Sequence, residues 1–221
     1  MKTSIIIMVK VPIAGAVKTR LQPFLSAEQC ATLAACFLRD TISKVKHLKN
    51  QLIIAYSPIE KRDVLLEILE DEQTLIEQKG KHLGERIIHA FEFAFSQNSD
   101  SVVVVGTDSP TLPSEFITQA FENLTESDAV LGATIDGGFY LIGLRKLKRE
   151  IFESVEWSSP QTFEQTTRNI ENINLKLSLL PMWYDVDTPF DLKRLKDELA
   201  ENPKLASKTS EFLREILSIG G

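Results

Sequence analysis

The stretch Ser101–Pro110, SVVVVGTDSP, decides the fold class of this chain. Its four consecutive valines are typical of a central strand covered on both faces, because a strand with one face in water would alternate apolar and polar residues. The strand ends at Gly106, and Asp108 follows in the loop. Since open α/β sheets bind ligands beyond the carboxyl ends of their strands, the stretch also puts a carboxylate where a ligand is expected.

Short apolar runs alternate with longer amphipathic stretches on both sides of this strand. Further strands are predicted at Ser4–Val9, Leu52–Tyr56, Thr74–Gln78, Asp128–Thr134, Phe139–Leu144 and Leu175–Leu180. Helices are predicted at Ser26–Leu48, Glu60–Leu69, Leu83–Phe95, Pro113–Leu124 and Lys208–Ile219, with two more opened by Ser159-Pro160 and Thr188-Pro189. This alternation favours an α/β fold with a mainly parallel sheet.

The composition is that of an ordinary globular protein, with 221 residues of which 43% are hydrophobic and 25% charged. A net charge of −6 argues against nucleic-acid binding, because contacts to the phosphate backbone are made by Lys and Arg. The apolar run Ile5–Val9 is stopped by Lys10 and Pro12, so it is too short for a signal sequence or a membrane span. We therefore expect a cytoplasmic protein without a membrane segment.

The loop after the first strand, Lys10–Leu21, reads KVPIAGAVKTRL and concentrates positive charge in an acidic protein. Gly15 lets the backbone approach a ligand closely, and Lys10, Lys18 and Arg20 can neutralise phosphate oxygens. A Walker A loop is excluded, because Val17 and Pro12 stand where that motif requires glycine. A phosphate-binding loop is favoured over a solvated basic loop.

Three acidic motifs follow later strands, and each has a structural alternative. Asp108 could hold a divalent metal beside a diphosphate or satisfy its own turn. The segment Asp136–Tyr140, DGGFY, could bind a substrate or form an Asp-Gly hairpin turn. The segment Asp185–Pro189, DVDTP, could supply metal ligands or cap the following helix.

Taken together, these segments resemble the bacterial DUF2064 family of predicted glycosyltransferases, within the nucleotide-diphospho-sugar transferase superfamily. The likeness runs from about residue 3 to residue 200, and the motifs occur in the order Lys10–Leu21, Leu83–Arg86, Gly106–Pro110, Asp136–Gly143 and Asp185–Pro189. More distantly, the Lys18–Leu21 loop and Asp108 are similar to phospholactate guanylyltransferase and to molybdenum-cofactor nucleotidyltransferases.

The resemblance implies a GT-A-type, Rossmann-like fold: a three-layer sandwich around a mainly parallel mixed sheet. It implies a single domain over residues 1–221, with a nucleotide-binding half in about residues 1–110 and an acceptor half in about 111–200. Residues 201–221 are then a C-terminal helix.

The resemblance also implies roles for individual residues. The nucleotide-binding set is Lys10, Gly15, Lys18, Arg20, Gln78 and Arg86. The acceptor-binding set is Gly137, Gly138, Phe139, Tyr140 and Trp157. Asp108 and Asp187 are the expected ligands of Mg²⁺ or Mn²⁺, and Asp136 is the expected residue that orients or deprotonates the acceptor. The usual second carboxylate of the superfamily's Asp-x-Asp motif is absent locally, where the chain reads Thr107-Asp108-Ser109.

The favoured hypothesis is a metal-dependent glycosyltransferase that uses a nucleotide-diphospho-sugar and a small-molecule acceptor. The first alternative is a nucleotidyltransferase, in which a phosphorylated small molecule attacks a nucleoside triphosphate and pyrophosphate leaves. The second alternative is a non-catalytic nucleotide-binding domain. The base, the sugar, the acceptor, the stereochemical course and the oligomeric state, including a homodimer, stay open.

Overall fold

The computed structural model describes residues 2–218, and these form seven β-strands and seven α-helices. The strands are β1 (Thr3–Lys10), β2 (Gln51–Ser57), β3 (Thr74–Glu77), β4 (Ser101–Val105), β5 (Ala129–Thr134), β6 (Phe139–Leu144) and β7 (Leu177–Trp183). The helices are α1 (Ala27–Lys46), α2 (Arg62–Ile68), α3 (Leu83–Ser96), α4 (Ser114–Asn123), α5 (Thr162–Asn172), α6 (Pro189–Glu201) and α7 (Ser207–Ser218). Ile219, the expected last residue of the final helix, lies outside the described residues.

The strands form one seven-stranded sheet in the order β3-β2-β1-β4-β6-β5-β7. All neighbouring strands run parallel except β6, which is antiparallel to both β4 and β5. The chain moves outward from β1 to β2 and β3, and then returns to β4 on the opposite side of β1. The loops that follow β1 and β4 therefore lead away from each other, which leaves a crevice beyond their carboxyl ends.

Helices cover both faces of the sheet, so the predicted three-layer α/β architecture with a mainly parallel mixed sheet is confirmed. A hydrophobic core lies on each face of the sheet, and alternate residues of β4 point into the two cores. Val103 and Val105 pack with α1, α2 and α4, whereas Val102 and Val104 pack with α3 and α5. Successive side chains of a strand point to opposite faces, and both faces are apolar here. This explains the unbroken valine run.

Helix α1 is buried on two faces. Ala35, Leu38 and Val45 join the core beside the sheet, whereas Leu33 and Phe37 join a separate core with α6 and α7. The capping box predicted at its start is present, since Ser26 Oγ accepts from Gln29 N and the Gln29 side chain accepts from Ser26 N. The helix is therefore a layer between the sheet and the C-terminal helices.

The start predicted for α5 is wrong. The helix begins at Thr162, and Ser159-Pro160 lies in the turn before it. Side chains hold this turn: Ser159 Oγ accepts from Gln161 N at 3.1 Å, and the Thr162 hydroxyl lies 2.8 Å from the carbonyl oxygen of Glu156. These hydrogen bonds replace those of a first helical turn.

None of the helices formed by residues 2–218 is both long enough and apolar enough to cross a membrane.

A buried carboxylate docks the C-terminal helix. Asp40 on α1 accepts hydrogen bonds from Lys208 N, Thr209 N and Thr209 Oγ1, at 2.9, 2.9 and 2.7 Å. The first N–H groups of a helix have no partner within the helix, so Asp40 serves as an N-terminal cap for α7 from a distant part of the chain.

Replacement of Asp40 by alanine should lower the free energy of unfolding by about 1–3 kcal/mol, because it leaves buried N–H groups without acceptors. Urea unfolding of the variant and the wild type measures this difference. Asp197→Ala, on the exposed side of α6, is the matched control and should change the stability by less than about 0.5 kcal/mol. Equal losses in the two variants would contradict the capping role.

Candidate functional site

A cleft of about 660 Å³ lies beyond the carboxyl ends of β1 and β4. Its walls come from the loop after β1, the ends of β2 and β3, the start of α3, the loop after β4 and the segment between β7 and α6. The lining residues that sequence analysis singled out are Lys10, Lys18, Arg20, Gln78, Arg86, Asp108, Phe139, Tyr140 and Asp187. The fold thus gathers residues from all five motifs in one place.

An ionic cluster joins three of these segments. The ammonium group of Lys18 forms a salt bridge with Asp108, and it donates hydrogen bonds to Asp187 Oδ1 and to the carbonyl oxygen of Val186, each at 2.9 Å. The Lys18 side chain is only 6% exposed. Burial by itself lowers the pKa of Lys18, but Asp108 and Asp187 outweigh it, so the pKa lies above its ordinary value. Lys18 is therefore a charged ion-pair partner in this structure.

Asp185 lies beside this cluster, where it is partly buried and lines the cleft. Its Oδ1 accepts a hydrogen bond from Ser109 Oγ at 2.5 Å. Burial, with repulsion from Asp108, raises the pKa of Asp185 to about 7, although the Ser109 hydrogen bond and Lys18 act in the opposite direction. The main chain adds a further link, since Val186 N donates to Asp108 O at 2.8 Å.

The two interpretations of the segment Asp185–Pro189 are compatible in the structure. Thr188 caps α6, accepting from Asp191 N, and Asp191 reciprocates at the Thr188 main chain. One residue earlier, Asp187 points to Lys18. The helix cap therefore fixes the direction in which the Asp187 side chain points, just before the start of the helix.

Asp108 and Asp187 together suit a divalent cation. Their side chains are 49% and 38% exposed, and within residues 2–218 no contact engages the second oxygen of either carboxylate. Mg²⁺ and similar hard cations prefer oxygen ligands, and are often held by one or two carboxylates with substrate phosphates completing the shell. No group of three or more His, Cys, Asp or Glu side chains in the described chain is arranged to hold a metal alone. The donor set therefore fits a cation that binds together with a phosphorylated ligand.

The remaining cations of the cleft are available to a ligand. Lys10 and Arg20 are exposed and have no acidic partner among the described residues. Arg86 donates through Nε to Gly80 O at 3.2 Å, and Gln78 donates through Nε2 to Val9 O and Ala55 O. The Gln78 contacts tie the ends of β1, β2 and β3 together and leave its Oε1 facing no partner within the described part of the chain.

Other predicted residues lie outside the cleft lining. Gly15 is exposed in the loop after β1, with a φ of +77° and open space around it. Asp136, Gly137 and Gly138 form the turn between β5 and β6. Asp136 Oδ1 accepts from Thr134 Oγ1 at 2.5 Å and from Gly138 N at 3.2 Å. The hairpin-turn interpretation of this motif thus matches the geometry.

The glycine pair packs against the turn before α5. Gly137 has a φ of +90°, and a Cβ there would lie 2.0 Å from Pro160 O. Its own carbonyl oxygen accepts from Phe163 N at 2.9 Å. The two protein segments pack so closely here that a side chain at position 137 would not fit, which explains the glycine.

Trp157 stands behind the rim of the cleft. Its ring stacks on His82, with ring centroids 6.2 Å apart and planes at 11°. A Cβ on Gly84 would lie 2.4 Å from the indole, so glycine at the start of α3 permits this packing. Trp157 thus supports His82, which does line the cleft.

Sequence analysis gave no role to several polar residues that line the cleft, among them His82, Ser109 and Ser158. Ser109 could have been found, because it directly follows Asp108 in the motif and its hydroxyl can donate to a nearby carboxylate. His82 precedes the motif Leu83–Arg86 as the N-cap of α3, where its Nδ1 accepts weakly from Glu85 N at 3.4 Å. Ser158 carries no local signal.

Lys44 on α1 supports the loop that carries Asp108. Its ammonium group donates to Pro110 O and, at 2.9 Å, to Leu112 O. Burial lowers the pKa of Lys44 to about 8, although Asp40, Glu198 and Glu115 act in the opposite direction.

A family model and solved structures match this chain. The model of DUF2064, described as an uncharacterized protein conserved in bacteria, matches residues 41–159. A structure from Desulfovibrio desulfuricans G20, with the provisional description nucleotide-diphospho-sugar transferase, is 33% identical, with a TM-score of 0.92, 97% of this chain and 95% of that chain covered.

Two more distant structures share the fold. One is CMP:2-keto-3-deoxy-manno-octonic acid synthetase complexed with CTP, at 11% identity and a TM-score of 0.60, with 91% of this chain and 99% of that chain covered. The other is the manganese complex of Rv0371c from Mycobacterium tuberculosis H37Rv, at 13% identity and a TM-score of 0.51, with 88% and 98% covered. No curated protein matches the sequence.

Replacement of Lys44 by methionine should destabilise the protein by about 1–3 kcal/mol, because two carbonyl groups lose their donor. The loss should grow between about pH 8 and pH 10.5. In that window the folded wild type has released the Lys44 proton while the unfolded chain still binds it, so wild-type stability rises with pH. Urea unfolding at pH 7 and pH 9.5 measures both effects. Lys193→Met, at an exposed position of α6, is the control, and a difference independent of pH would contradict the assignment.

Proposed function

The chain belongs to the DUF2064 family, and from this membership and the cleft we propose that it is a metal-dependent glycosyltransferase. It moves a sugar from a nucleotide-diphospho-sugar to a small acceptor. The observation that carries the proposal is the meeting of two half-exposed carboxylates, Asp108 and Asp187, with the available cations Lys10 and Arg20 in one cleft. A diphosphate needs both kinds of group, since a metal and basic side chains share its negative charge.

Family relationship supports the transferase class. The Desulfovibrio desulfuricans G20 relative, described as a nucleotide-diphospho-sugar transferase, covers nearly the whole chain at 33% identity. The CTP complex of a distant fold relative supports nucleotide binding in a cleft of this fold, and the manganese complex of another supports a divalent cation. Sugar transfer takes precedence over nucleotidyl transfer because the more similar structure bears the sugar-transferase description.

The donor lies along the loop after β1. Lys10 and Arg20 contact the phosphates, because they line the cleft without acidic partners among the described residues. Gln78 directly follows β3, and Arg86 lies in the first turn of α3. These two residues bind the base and the ribose. The nucleotide half is then residues 1–110, and the acceptor half is residues 111–200.

Asp108 and Asp187 would hold Mg²⁺ or Mn²⁺, which would supply Lewis-acid stabilisation of the leaving nucleoside diphosphate. The chain's own contribution is to fix both carboxylates. The Val186 N to Asp108 O hydrogen bond holds the two loops together, and the cap at Thr188 orients Asp187. Arg20 and Lys10 add positive charge near the leaving group.

The acceptor enters on the side of Phe139 and Tyr140, which line the cleft next to the β5–β6 turn. His82, backed by Trp157, offers an aromatic face at the same rim. The role of Asp136, in that turn, as the residue that deprotonates or orients the acceptor hydroxyl stays a prediction.

A panel of UDP-, GDP- and dTDP-sugars and nucleoside triphosphates, each with and without Mn²⁺, tests the donor class by thermal shift. A ligand at 100 times its dissociation constant adds ~2.7 kcal/mol of stability, which raises the melting temperature by several degrees at this chain length. We expect the largest metal-dependent shift from one nucleotide-sugar series. Asp108→Asn should remove the metal-dependent part, whereas Asp63→Asn, at an exposed position of α2, should keep it.

A larger shift from triphosphates than from every nucleotide sugar would move the assignment to nucleotidyl transfer. Metal-independent binding of all ligands would contradict the role of Asp108 and Asp187. Binding without turnover of any sugar donor would favour a nucleotide-binding domain without catalysis.

Asp136→Asn tests the proposed base separately from the turn. Asparagine keeps the Oδ1 acceptor for Thr134 Oγ1 and Gly138 N, so the melting temperature should change little. If Asp136 deprotonates the acceptor, turnover should fall by ~10²–10⁴-fold with unchanged donor affinity. Wild-type turnover in this variant would leave Asp136 with the structural role alone.

A further inference from the structure

The Lys18 ammonium occupies the point on which the two proposed metal ligands converge. One oxygen of Asp187 lies 2.9 Å from it, Asp108 forms a salt bridge with it, and the Val186 carbonyl accepts its third hydrogen bond at 2.9 Å. An ammonium group has three donors and no acceptor, so these contacts use its full capacity. Lys18 therefore has no donor left for a phosphate in this arrangement.

The ammonium group is also held from the side of α1. The ring of Phe37, itself fully buried, lies 5.4 Å from Lys18 Nζ, within the range of a cation–π contact. Lys18 itself has a left-handed backbone, with a φ of 47°, which few residues other than glycine adopt. A strained backbone conformation at Lys18 and the burial of its ammonium group thus accompany the placement of a positive charge between the two carboxylates.

From this geometry we propose that Lys18 is an internal counter-ion that competes with the divalent cation for Asp108 and Asp187. In the ligand-free chain its charge offsets the repulsion between the two carboxylates and weakens binding of a metal ion alone. A diphosphate brings negative charge into the cleft, so the metal binds well only together with it. Lys18 is in this sense a positioning residue, and the inference rests on the metal site of the proposed function.

The competition follows from the spacing of the charges. A divalent cation bound by both carboxylates lies within a few ångströms of the place that the ammonium group holds, and like charges at such a distance repel strongly in a partly buried site. Removal of the Lys18 charge should therefore strengthen metal binding by about tenfold or more. A variant that merely damaged the fold would bind metal more weakly, so the direction of the change separates the two causes.

Titration calorimetry with Mn²⁺ alone, on the full chain without nucleotide, measures the effect. We expect Lys18→Met and Lys18→Gln to bind Mn²⁺ about tenfold or more tightly than the wild type. The glutamine variant retains a side-chain donor for Val186 O and keeps the test valid if the methionine variant folds poorly. Lys10→Met removes the same charge from the same cleft without touching the carboxylates, and should change the affinity by less than about threefold.

A second readout uses stability. In EDTA the Lys18 variants should melt below the wild type, because the carboxylates are left without their counter-ion, and Mn²⁺ should raise their melting temperature more than it raises that of the wild type. Adding Asp108→Asn to Lys18→Gln should abolish the gain in Mn²⁺ affinity, which identifies the site.

The outcomes separate this inference from the proposed function. Equal Mn²⁺ affinity in wild type and Lys18→Gln would overturn the competition and leave the metal site of Asp108 and Asp187 intact. Weaker binding in both Lys18 variants would also overturn it, and would make Lys18 a structural support of the site. Absence of Mn²⁺ binding in every variant would overturn the competition together with the metal site.

Discussion

The parallel pairing of β1 with β4 organises the sheet and creates the cleft. Both strands lie at the centre of the sheet, and their side chains pack into the cores on both of its faces. The chain leaves β1 toward one edge of the sheet and enters β4 from it, so the following loops diverge. The cleft is the direct consequence of this change in strand order.

Electrostatic attraction holds together the three loops at the floor of the cleft. These loops carry Lys18, Asp108 and Asp187 to the same point, and the Lys18 ammonium is shared between the two carboxylates. Asp185 and Ser109 add a partly buried hydrogen bond next to it. An unbalanced group of aspartates would repel, so one buried cation allows a concentrated acidic site to exist before any ligand arrives. Stability and binding are therefore linked at this point of the fold.

Local patterns predicted most of the fold. The valine run and the alternation of apolar and amphipathic stretches identified all the strands and α-helices of residues 2–218, because hydrophobic periodicity reports directly which face is buried. The DUF2064 family and the transferase class are likewise confirmed. The start of α5 was misplaced, because side-chain hydrogen bonds of Ser159 and Thr162 hold a turn that resembles a helix start in the sequence.

The strands, the family and the charged residues that follow the strands could all be predicted from the amino-acid sequence. Which of those residues meet depends on the packing of distant segments: Lys18 contacts Asp187 across 169 positions of the chain, and Asp40 caps α7 across the same separation. The tertiary structure also put Asp136 in a hairpin turn and brought His82 to the rim. Such contacts depend on how the layers of the fold pack against each other. The pattern of residues along the chain indicates which positions are buried and where turns occur, but not which distant residue a buried side chain contacts.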